Sequence, residues 1–437
     1  MDYVDAVAYL DAHIGRGVDP GLERISGLLD LMGNPEAGYP IVHVAGTNGK
    51  TSTARIATMV AVAQGLTTGT FISPHLERIE ERLSLNGFTA TPEQFAQAVQ
   101  DVAAFADIYE QRTACLLTYF ELTAAMAFAW FADQAVDLAV VEVGLGGRLD
   151  ATNAARASVA VITGIGLDHT EILGDTVGRI AAEKLAIVEP GSTLVCGPLV
   201  PEALAVAERV AVDRSVTLLR YGREFSVTAA TRAVGGWQVD LDGLHETYED
   251  LYLPLHGRHQ TINLAVATAA VEALFGRALD VEAVRDGLAV VTSPGRMEPI
   301  TVDPLVLIDG AHNADGFRVL AAALAEEFAH HRWVLVVGFT GPKDPAALVA
   351  PLAGMVDHVI AAPIDSPRAI DPSSVAEGAA SALGVGGESA GSVAAALERA
   401  RELAGEAGSV LVTGSLYLAG AVRSAVLGEG TVHRNER

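Results

Sequence analysis

The chain has 437 residues, half of them hydrophobic, which exceeds one ordinary core and predicts two or three domains. Its formal net charge of −25 repels phosphate backbones, so no nucleic-acid partner is expected. Two cysteines are too few for a disulfide framework. The sequence shows no signal peptide and no apolar run long enough to cross a bilayer. We therefore expect a cytoplasmic protein without membrane contact.

A glycine turn between a strand and a helix is the first motif with chemical content. The β-branched run from Ile41 to Val44 predicts a buried strand, and helical spacing of apolar residues begins at Lys50. The turn Gly46-Thr47-Asn48-Gly49 directs backbone N–H groups and a helix dipole at one point, which favours an anion. We predict a phosphate-binding loop in which Lys50 reaches the terminal phosphates and the Thr51 hydroxyl holds Mg²⁺. Val44 replaces a glycine of the general Walker pattern, so a helix-capping turn with a solvated Lys50 is the alternative.

Two polar groups follow at the ends of the next predicted strands. The strand from Thr67 to Phe71 ends in Ser73-Pro74-His75, which alone fits a polar loop as well as a site. The run from Val136 to Val143 is apolar on both faces and predicts a parallel strand, with Glu142 at its end and a glycine-rich turn after it. A carboxylate placed there is expected to bind a nucleotide's metal ion, and a strand-end salt bridge is the alternative.

A histidine and a lysine come next along the chain. The strand from Ser158 to Ile165 leads to His169, which shares the strand-end placement of Glu142 and is therefore a candidate metal or phosphate ligand. A lone histidine is otherwise more often structural. The helix from Thr176 to Ile187 carries Lys184, which in isolation is interpreted as a solvated helix lysine.

The remaining pattern defines the fold class. Alternation with Gly-Gly and Asp-Gly turns between Val216 and Leu255 predicts a small antiparallel sheet. A new strand–helix series begins after Pro294. We predict an α/β protein with an N-terminal P-loop ATPase-type domain (1–294), mainly parallel with the small antiparallel sheet appended, and a smaller Rossmann-like domain (295–437). Other predicted elements are helices at Thr91–Phe105 and Thr118–Phe131, strands at Leu305–Asp309, Val334–Gly338, His358–Ala362 and Ser409–Thr413, and a surface helix and loop at Ser373–Gly391.

The order of the short motifs resembles one family. VAGTNGKTS, SPHL, TYFE, EVGLGGRLDATN, LDHTEILG, SPGRMEP, DGAHN and GSLYLAG together resemble the folylpolyglutamate synthase/dihydrofolate synthase family of the Mur ligase superfamily. The resemblance implies a monomeric ATP-dependent ligase that adds L-glutamate to folates, and also to dihydropteroate, through an acyl phosphate. It also implies ATP as cosubstrate, two Mg²⁺ ions and a lysine carbamylated by CO₂. The alternatives are a Mur-type ligase with another carboxylate acceptor, or a nucleotide-dependent switch or transport ATPase.

The resemblance also implies roles for individual residues. The catalytic group comprises Lys50, Glu142, His169 and Lys184, with Lys184 at the carbamylated position. The metal ligands are Thr51, Ser73, Glu142, His169 and Lys184. The ATP contacts are Gly46, Thr47, Asn48, Gly49, Lys50, Thr51, Ser52, Asn263, Arg296 and Asp309. The pterin-end contacts are Asp19, Thr118, Tyr119, Phe120, Leu149 and Asp150, and the contacts to the incoming glutamate are His312, Ser415 and Tyr417.

Overall fold

The structure is a computed structural model that describes residues 1–14, 20–406 and 408–428. They form two compact units. The first contains the described residues of Met1–Ala233 together with Gln238–Pro254 and Gln260–Val291. The second contains Val234–Trp237, Leu255–His259 and the described residues from Thr292 onward. Across the described ranges, no helix is long and apolar enough to span a membrane.

The first unit is built on an eight-stranded sheet with the strand order β4-β3-β2-β5-β1-β6-β7-β8. Its strands are β1 (Ile41–Ala45), β2 (Thr68–Phe71), β3 (Leu83–Leu85), β4 (Phe88–Thr89), β5 (Leu138–Glu142), β6 (Val159–Ile162), β7 (Thr193–Cys196) and β8 (Thr217–Arg220). A three-stranded sheet contains β9 (Ser226–Ala233), β10 (Gly236–Asp242) and β11 (Thr247–Leu253). The helices are α1 (Tyr3–Asp11), α2 (Glu23–Met32), α3 (Lys50–Ala63), α4 (Pro92–Thr113), α5 (Tyr119–Asp133), α6 (Thr170–Leu173), α7 (Val177–Lys184), α8 (Pro201–Arg214), α9 (His259–Phe275) and α10 (Val281–Ala289).

The central strands of the large sheet place the candidate site. Strands β5, β1 and β6 are neighbours and run parallel, and every residue of β1 and β5 is buried. Their apolar sequences therefore need cover on both faces, which helices supply. The carboxyl ends of these strands meet at one edge of the sheet, where open α/β sheets bind ligands. The turns that follow the three strands hold the predicted phosphate loop, the 149–150 pair and His169.

The large sheet differs from the sequence prediction at its borders. Strands β3 and β4 are not among the elements predicted from the sequence. They form a short hairpin around Asn86-Gly87, a dipeptide that is typical of such turns. Strand β8 was assigned to the antiparallel sheet, but it pairs in parallel with β7 and extends the large sheet. Helix α4 continues eight residues beyond the predicted end at Phe105. The prediction ended too early because the last turns of the helix lie mostly exposed and show no apolar periodicity.

The second unit is a six-stranded sheet with the order β12-β13-β17-β14-β15-β16, in which only β12 runs antiparallel to its neighbour. Its strands are β12 (Glu298–Val302), β13 (Leu305–Ile308), β14 (Trp333–Val337), β15 (Val356–Ala361), β16 (Gly386–Ser389) and β17 (Ser409–Thr413). Its helices are α11 (Ala314–Glu327), α12 (Pro345–Val349), α13 (Pro372–Leu383), α14 (Val393–Ala404) and α15 (Leu416–Leu427).

The stretch from Ser373 to Gly391 was predicted as a surface helix and loop, and this was wrong in part. Helix α13 buries Val375, Ala376 and Ala379 in the core of the second unit, and β16 joins the sheet beside β15. Glycine and serine in β16 concealed the strand. The predicted fold class is confirmed: a mainly parallel α/β unit with a small antiparallel sheet, and a second α/β unit.

Candidate active site

The glycine turn after β1 has the backbone conformation that a phosphate-binding loop requires. Gly49 has φ +84° and directly precedes α3, so the free N–H groups of the first helical turn point out of the loop. A Cβ atom on Gly49 would lie 2.7 Å from Oδ1 of Asn263. The asparagine of α9 therefore packs directly on the loop, and only glycine leaves room for it. Asn263 also donates to Gln260 Oε1 at 2.9 Å, and Gln260 Nε2 donates to Ser52 Oγ at 3.3 Å.

The loop is fixed to the turn that follows β6. Thr163 Oγ1 donates to the Asn48 carbonyl at 2.6 Å, and the Thr47 N–H donates to the Gly164 carbonyl at 2.8 Å. The Thr47 hydroxyl accepts from the Gly166 N–H at 3.0 Å. Because these bonds hold the loop without a ligand, its N–H groups are preorganised for an anion. The sequence did not single out Thr163, although its position at the end of a buried strand was a usable signal.

The Lys50 side chain folds back over the loop. Its Nζ donates to the Gly46 carbonyl at 3.2 Å and to the Thr47 carbonyl at 3.4 Å. These bonds are long and involve neutral acceptors, so a phosphate oxygen would compete well for the ammonium group. The placement is the one that a phosphate-binding lysine needs.

Three of the predicted metal ligands lie together at the mouth of the loop. Glu142 is 2% exposed, and its Oε1 accepts from the Thr51 hydroxyl at 3.0 Å. Its Oε2 lies 3.4 Å from the Ser73 backbone N–H. The Ser73 hydroxyl is buried and has no hydrogen-bond partner. A buried hydroxyl without a partner is unfavourable, and hydroxyl and carboxylate oxygens are what Mg²⁺ prefers, so this donor set fits a magnesium ion.

Lys184 is buried, although its sequence alone suggested a solvated helix lysine. It is 6% exposed at the last position of α7. Burial, assisted by the charge of Lys50, lowers its pKa to about 7, while Asp168 and Asp150 partly oppose this shift. A pKa lowered in this way leaves far more of the Lys184 amines uncharged at neutral pH than the roughly one in a few thousand of an ordinary lysine. An uncharged amine is a nucleophile.

His169 lies at the start of the short helix α6 in a left-handed backbone conformation, with φ +49°. Its side chain is 43% exposed, and Nε2 is 4.0 Å from Oδ1 of Asp168. Asp168 also raises the pKa of Lys184, so the two predicted ligands share this carboxylate as an electrostatic neighbour. The sequence did not predict a role for Asp168, although it precedes His169 directly.

The residues predicted at the pterin end lie on two segments of the first unit. Phe120 packs against Phe71, with ring centroids 6.1 Å apart, and a Cβ atom on Gly144 would lie 2.5 Å from its ring. The Arg82 guanidinium lies over the Tyr119 ring at 5.3 Å. Leu149 is 47% exposed. Asp19 lies outside the described residues.

Thr118 and Asp150 hold backbone structure together. Thr118 caps α5 through a reciprocal bond pair with Glu121, whose carboxylate also accepts from Arg24 Nε at 3.0 Å. Asp150 accepts from the Leu145 N–H at 2.8 Å and from the Thr152 N–H at 3.0 Å. Burial raises the pKa of the Asp150 carboxyl, and these hydrogen bonds oppose that change. Both side chains thus shape the walls of the predicted pterin end.

The second unit presents its own group of predicted residues. Asp309 follows β13 and accepts from the N–H groups of Met297, at 2.9 Å, and Ala311, at 2.8 Å. Burial raises its pKa, while Arg296 opposes the shift. His312 Nδ1 lies 2.8 Å from the Gly310 carbonyl, which fixes the proton on that nitrogen. Ser415 caps α15 by accepting from the Tyr417 N–H at 3.2 Å, and the Tyr417 side chain is 56% exposed.

Known proteins share both units of this chain. Residues 44–271 match the Mur ligase middle domain, and residues 295–416 match the Mur ligase glutamate ligase domain. The dihydrofolate synthase/folylpolyglutamate synthase of Mycobacterium tuberculosis (strain ATCC 25618 / H37Rv) is 41% identical over 440 residues, covering 93% of this chain and 90% of that protein. The folylpolyglutamate synthase of Lacticaseibacillus casei is 34% identical over 440 residues, covering 98% and 99%.

Solved structures agree with this likeness. Mycobacterium tuberculosis folylpolyglutamate synthase complexed with ADP has a TM-score of 0.93 at 39% identity, covering 97% of this chain and 98% of that one. An FPGS–AMPPCP–folate complex has a TM-score of 0.87 at 32% identity, covering 98% and 100%. Fold and site together define an ATP-dependent ligase of the Mur type. The chain belongs to the dihydrofolate synthase/folylpolyglutamate synthase family, which confirms the resemblance stated from the motifs.

Proposed function

We propose that this protein joins L-glutamate to folates in an ATP-dependent reaction, and that it also joins L-glutamate to dihydropteroate. One observation supports this above the others: Thr51, Ser73 and Glu142 converge at a preorganised phosphate loop in a chain of this family. A second unit matching the glutamate ligase domain supplies the other half of the expected reaction.

The reaction has two steps. A carboxylate oxygen of the acceptor attacks the γ-phosphorus of ATP, and ADP leaves. The amine nitrogen of L-glutamate then attacks the acyl carbon, inorganic phosphate leaves, and the nitrogen loses a proton. Phosphorylation is needed because a carboxylate carbon is electron-rich and oxide is a poor leaving group. The protein's task is to bring two anions together and align them.

The side chains of the first unit suit the phosphoryl transfer. The loop N–H groups and Lys50 would hold the phosphates, and Thr51, Ser73 and Glu142 would hold a first Mg²⁺. His169 and a carbamylated Lys184 would hold a second. Bound Mg²⁺ would screen the charge between the phosphates and the acceptor carboxylate. Asn263, Arg296 and Asp309 are proposed nucleotide contacts.

The environment of Lys184 supports the proposed carbamylation. The uncharged amine would attack CO₂, forming a nitrogen–carbon bond and losing a proton, and the product is an anion that can bind metal. This change also removes the repulsion between Lys184 and Lys50. The chain has only three lysines, at positions 50, 184 and 343, so a carbamate signal can be assigned to one residue by substitution.

Substrate assignments at the two ends remain proposals by family likeness. Thr118, Tyr119, Phe120, Leu149 and Asp150 would enclose the pterin end, and His312, Ser415 and Tyr417 would meet the incoming glutamate. We place the domain boundary between residues 294 and 295, next to the start of the glutamate ligase match. A monomeric state and a cytoplasmic location also remain predictions.

The proposal is tested by phosphate release with ATP, Mg²⁺ and L-glutamate, with tetrahydrofolate and dihydropteroate in separate reactions. We expect glutamate-dependent release with both acceptors. Release with tetrahydrofolate alone would restrict the protein to polyglutamate synthesis. Release that does not require glutamate would indicate a switch or transport ATPase, and no release with either acceptor would indicate a different carboxylate substrate.

A further inference from the structure

A histidine in the core of the first unit has no role in the reaction described above. His43 lies at the centre of β1, paired with Val141 on β5 and Ala160 on β6. It is 1% exposed, and burial lowers its pKa to about 3, so the imidazole is neutral. A neutral polar ring in the middle of an otherwise apolar strand needs a hydrogen-bond partner, and it has one.

That partner begins a directed chain of hydrogen bonds. His43 Nε2 lies 2.9 Å from Thr152 Oγ1, and Thr152 Oγ1 in turn donates to Asp150 Oδ1. The hydroxyl has a single proton, and Asp150 already accepts backbone N–H groups at both oxygens. An ionised Asp150, the form that these N–H groups favour, can only accept, so Thr152 donates to it and accepts from His43, which places the imidazole proton on Nε2. His43 Nδ1 is buried without a partner, in agreement with this tautomer.

This chain of hydrogen bonds ends at the turn between β5 and the short 3₁₀ helix Ala151–Ala154. Asp150 caps that helix and holds the Leu145 N–H on the opposite side of the turn. The turn has no spare room: a Cβ atom on Gly144 would lie 2.5 Å from Phe120, and one on Gly147 would lie 2.6 Å from the Glu183 carbonyl. Movement of Asp150 would therefore shift the wall next to Phe120.

We propose that His43 is a positioning residue for the acceptor substrate, acting through Thr152 and Asp150 to hold the 144–150 turn in its binding conformation. The imidazole is 1% exposed inside the sheet, so it acts through its hydrogen-bond partners. It fixes the direction of the hydrogen-bond chain from the centre of the sheet, where β1 is paired on both sides. The part of this inference that concerns the acceptor rests on the proposed function.

Steady-state kinetics separate this role from simple packing. We expect His43→Phe and Thr152→Val each to raise KM for tetrahydrofolate about tenfold, as the loss of one buried hydrogen bond allows, with KM for ATP nearly unchanged. The double variant should be no worse than Thr152→Val alone, because that substitution already removes both hydrogen bonds of the Thr152 hydroxyl. Thr152→Ser keeps the hydroxyl and should behave like the unaltered protein.

His331→Phe is the matched control. His331 Nδ1 lies 2.7 Å from Ser409 Oγ, so this substitution also removes a histidine–hydroxyl bond, but in the second unit. We expect it to leave KM for tetrahydrofolate unchanged. Equal rises of both KM values in the His43 and Thr152 variants, or additive effects in the double variant, would overturn the proposal.

Nuclear magnetic resonance tests the hydrogen-bond chain from His43 to Asp150 without any substrate. In protein with ¹⁵N-labelled histidine, His43 should show the Nε2–H tautomer and should not titrate between pH 5 and 8. In uniformly ¹⁵N-labelled protein, the amide resonance of Leu145 should shift in both His43→Phe and Thr152→Val. An Nδ1–H tautomer, or an unmoved Leu145 amide, would refute the chain even if the ligase activity is present. Correct spectra in a protein that does not act on folates would instead refute the proposed function alone.

Discussion

Removal of the Ser73 hydroxyl should make the ligand-free protein more stable and the enzyme less active. Ser73 is 6% exposed, and its hydroxyl oxygen is buried without a hydrogen-bond partner. A buried polar group in this state destabilises a protein by about 1–3 kcal/mol. We therefore expect Ser73→Ala to raise the free energy of unfolding of the ligand-free protein by about 1–2 kcal/mol, measured by chemical denaturation without nucleotide or Mg²⁺.

The same substitution removes an oxygen that the proposed reaction needs. If the hydroxyl is a magnesium ligand, its loss should lower kcat/KM by about 100-fold, as the loss of one preorganised electrostatic contact does. The stabilisation that ATP and Mg²⁺ confer on the unaltered protein should shrink in parallel. Phosphate release and a thermal shift with and without ATP and Mg²⁺ measure both effects.

Ser192→Ala is the matched control because Ser192 is also 6% exposed, but its hydroxyl donates to the Glu189 carbonyl at 2.7 Å. This variant should lose about 1 kcal/mol of stability and keep full activity. If Ser73→Ala destabilises the ligand-free protein as Ser192→Ala does, the Ser73 hydroxyl has a structural partner and is not a strained ligand. Turnover of the Ser73→Ala variant at the normal rate would exclude the hydroxyl as a magnesium ligand.

Three further outcomes follow from the site. Lys50→Ala should lower kcat by at least about 100-fold while the unfolding free energy changes by roughly 1 kcal/mol, because only two long bonds to carbonyls are lost; normal turnover would refute the phosphate loop. Lys184→Ala should lose activity and regain part of it with short carboxylic acids, and a ¹³CO₂-derived carbamate signal should vanish in this variant; a persisting signal would assign the carbamate elsewhere. His43 has a folded-state pKa of about 3, below its unfolded value of about 6.5. Between pH 6.5 and 3 the unfolded protein therefore binds a proton at His43 that the folded protein does not. The free energy of unfolding falls as the pH drops through this range, by at most about 1.4 kcal/mol per pH unit. His43→Phe should flatten this slope in denaturation curves measured between pH 7 and 4.

The sequence predicted those parts of the site that depend on neighbouring residues in the chain. The strand, glycine turn and helix around Lys50 form one local pattern, and the structure has all three. Glu142 and Ser73 were placed by their position at strand ends, and parallel pairing of β2 and β5 brings those ends together. Local pattern and sheet geometry are both encoded over short stretches.

Burial of single polar groups was not predictable in the same way. From its helix pattern alone, Lys184 is interpreted as solvated. That pattern gives no sign of the turn after β5 that packs on it. A Cβ atom on Gly147 would lie within 2.9 Å of the Lys184 carbonyl, a contact between residues 37 positions apart. The pKa of Lys184 is a property of that packing, and no residue pattern within α7 encodes it.

The lowered pKa of Lys184 removes a repulsion between two lysines, and Mg²⁺ would then supply the positive charge that the nucleotide needs. A protein with a formal net charge of −25 that binds ATP needs local positive charge, yet Lys50 and Lys184 repel each other when both are protonated. Burial removes the second charge instead of pairing it. If CO₂ then converts Lys184 into an anion, the carbamate and Glu142 together make the pocket negative enough to attract Mg²⁺ before the nucleotide. An uncarbamylated pocket lacks this attraction. Metal binding in the absence of ATP should therefore weaken when CO₂ is removed, which a magnesium titration of degassed protein would show.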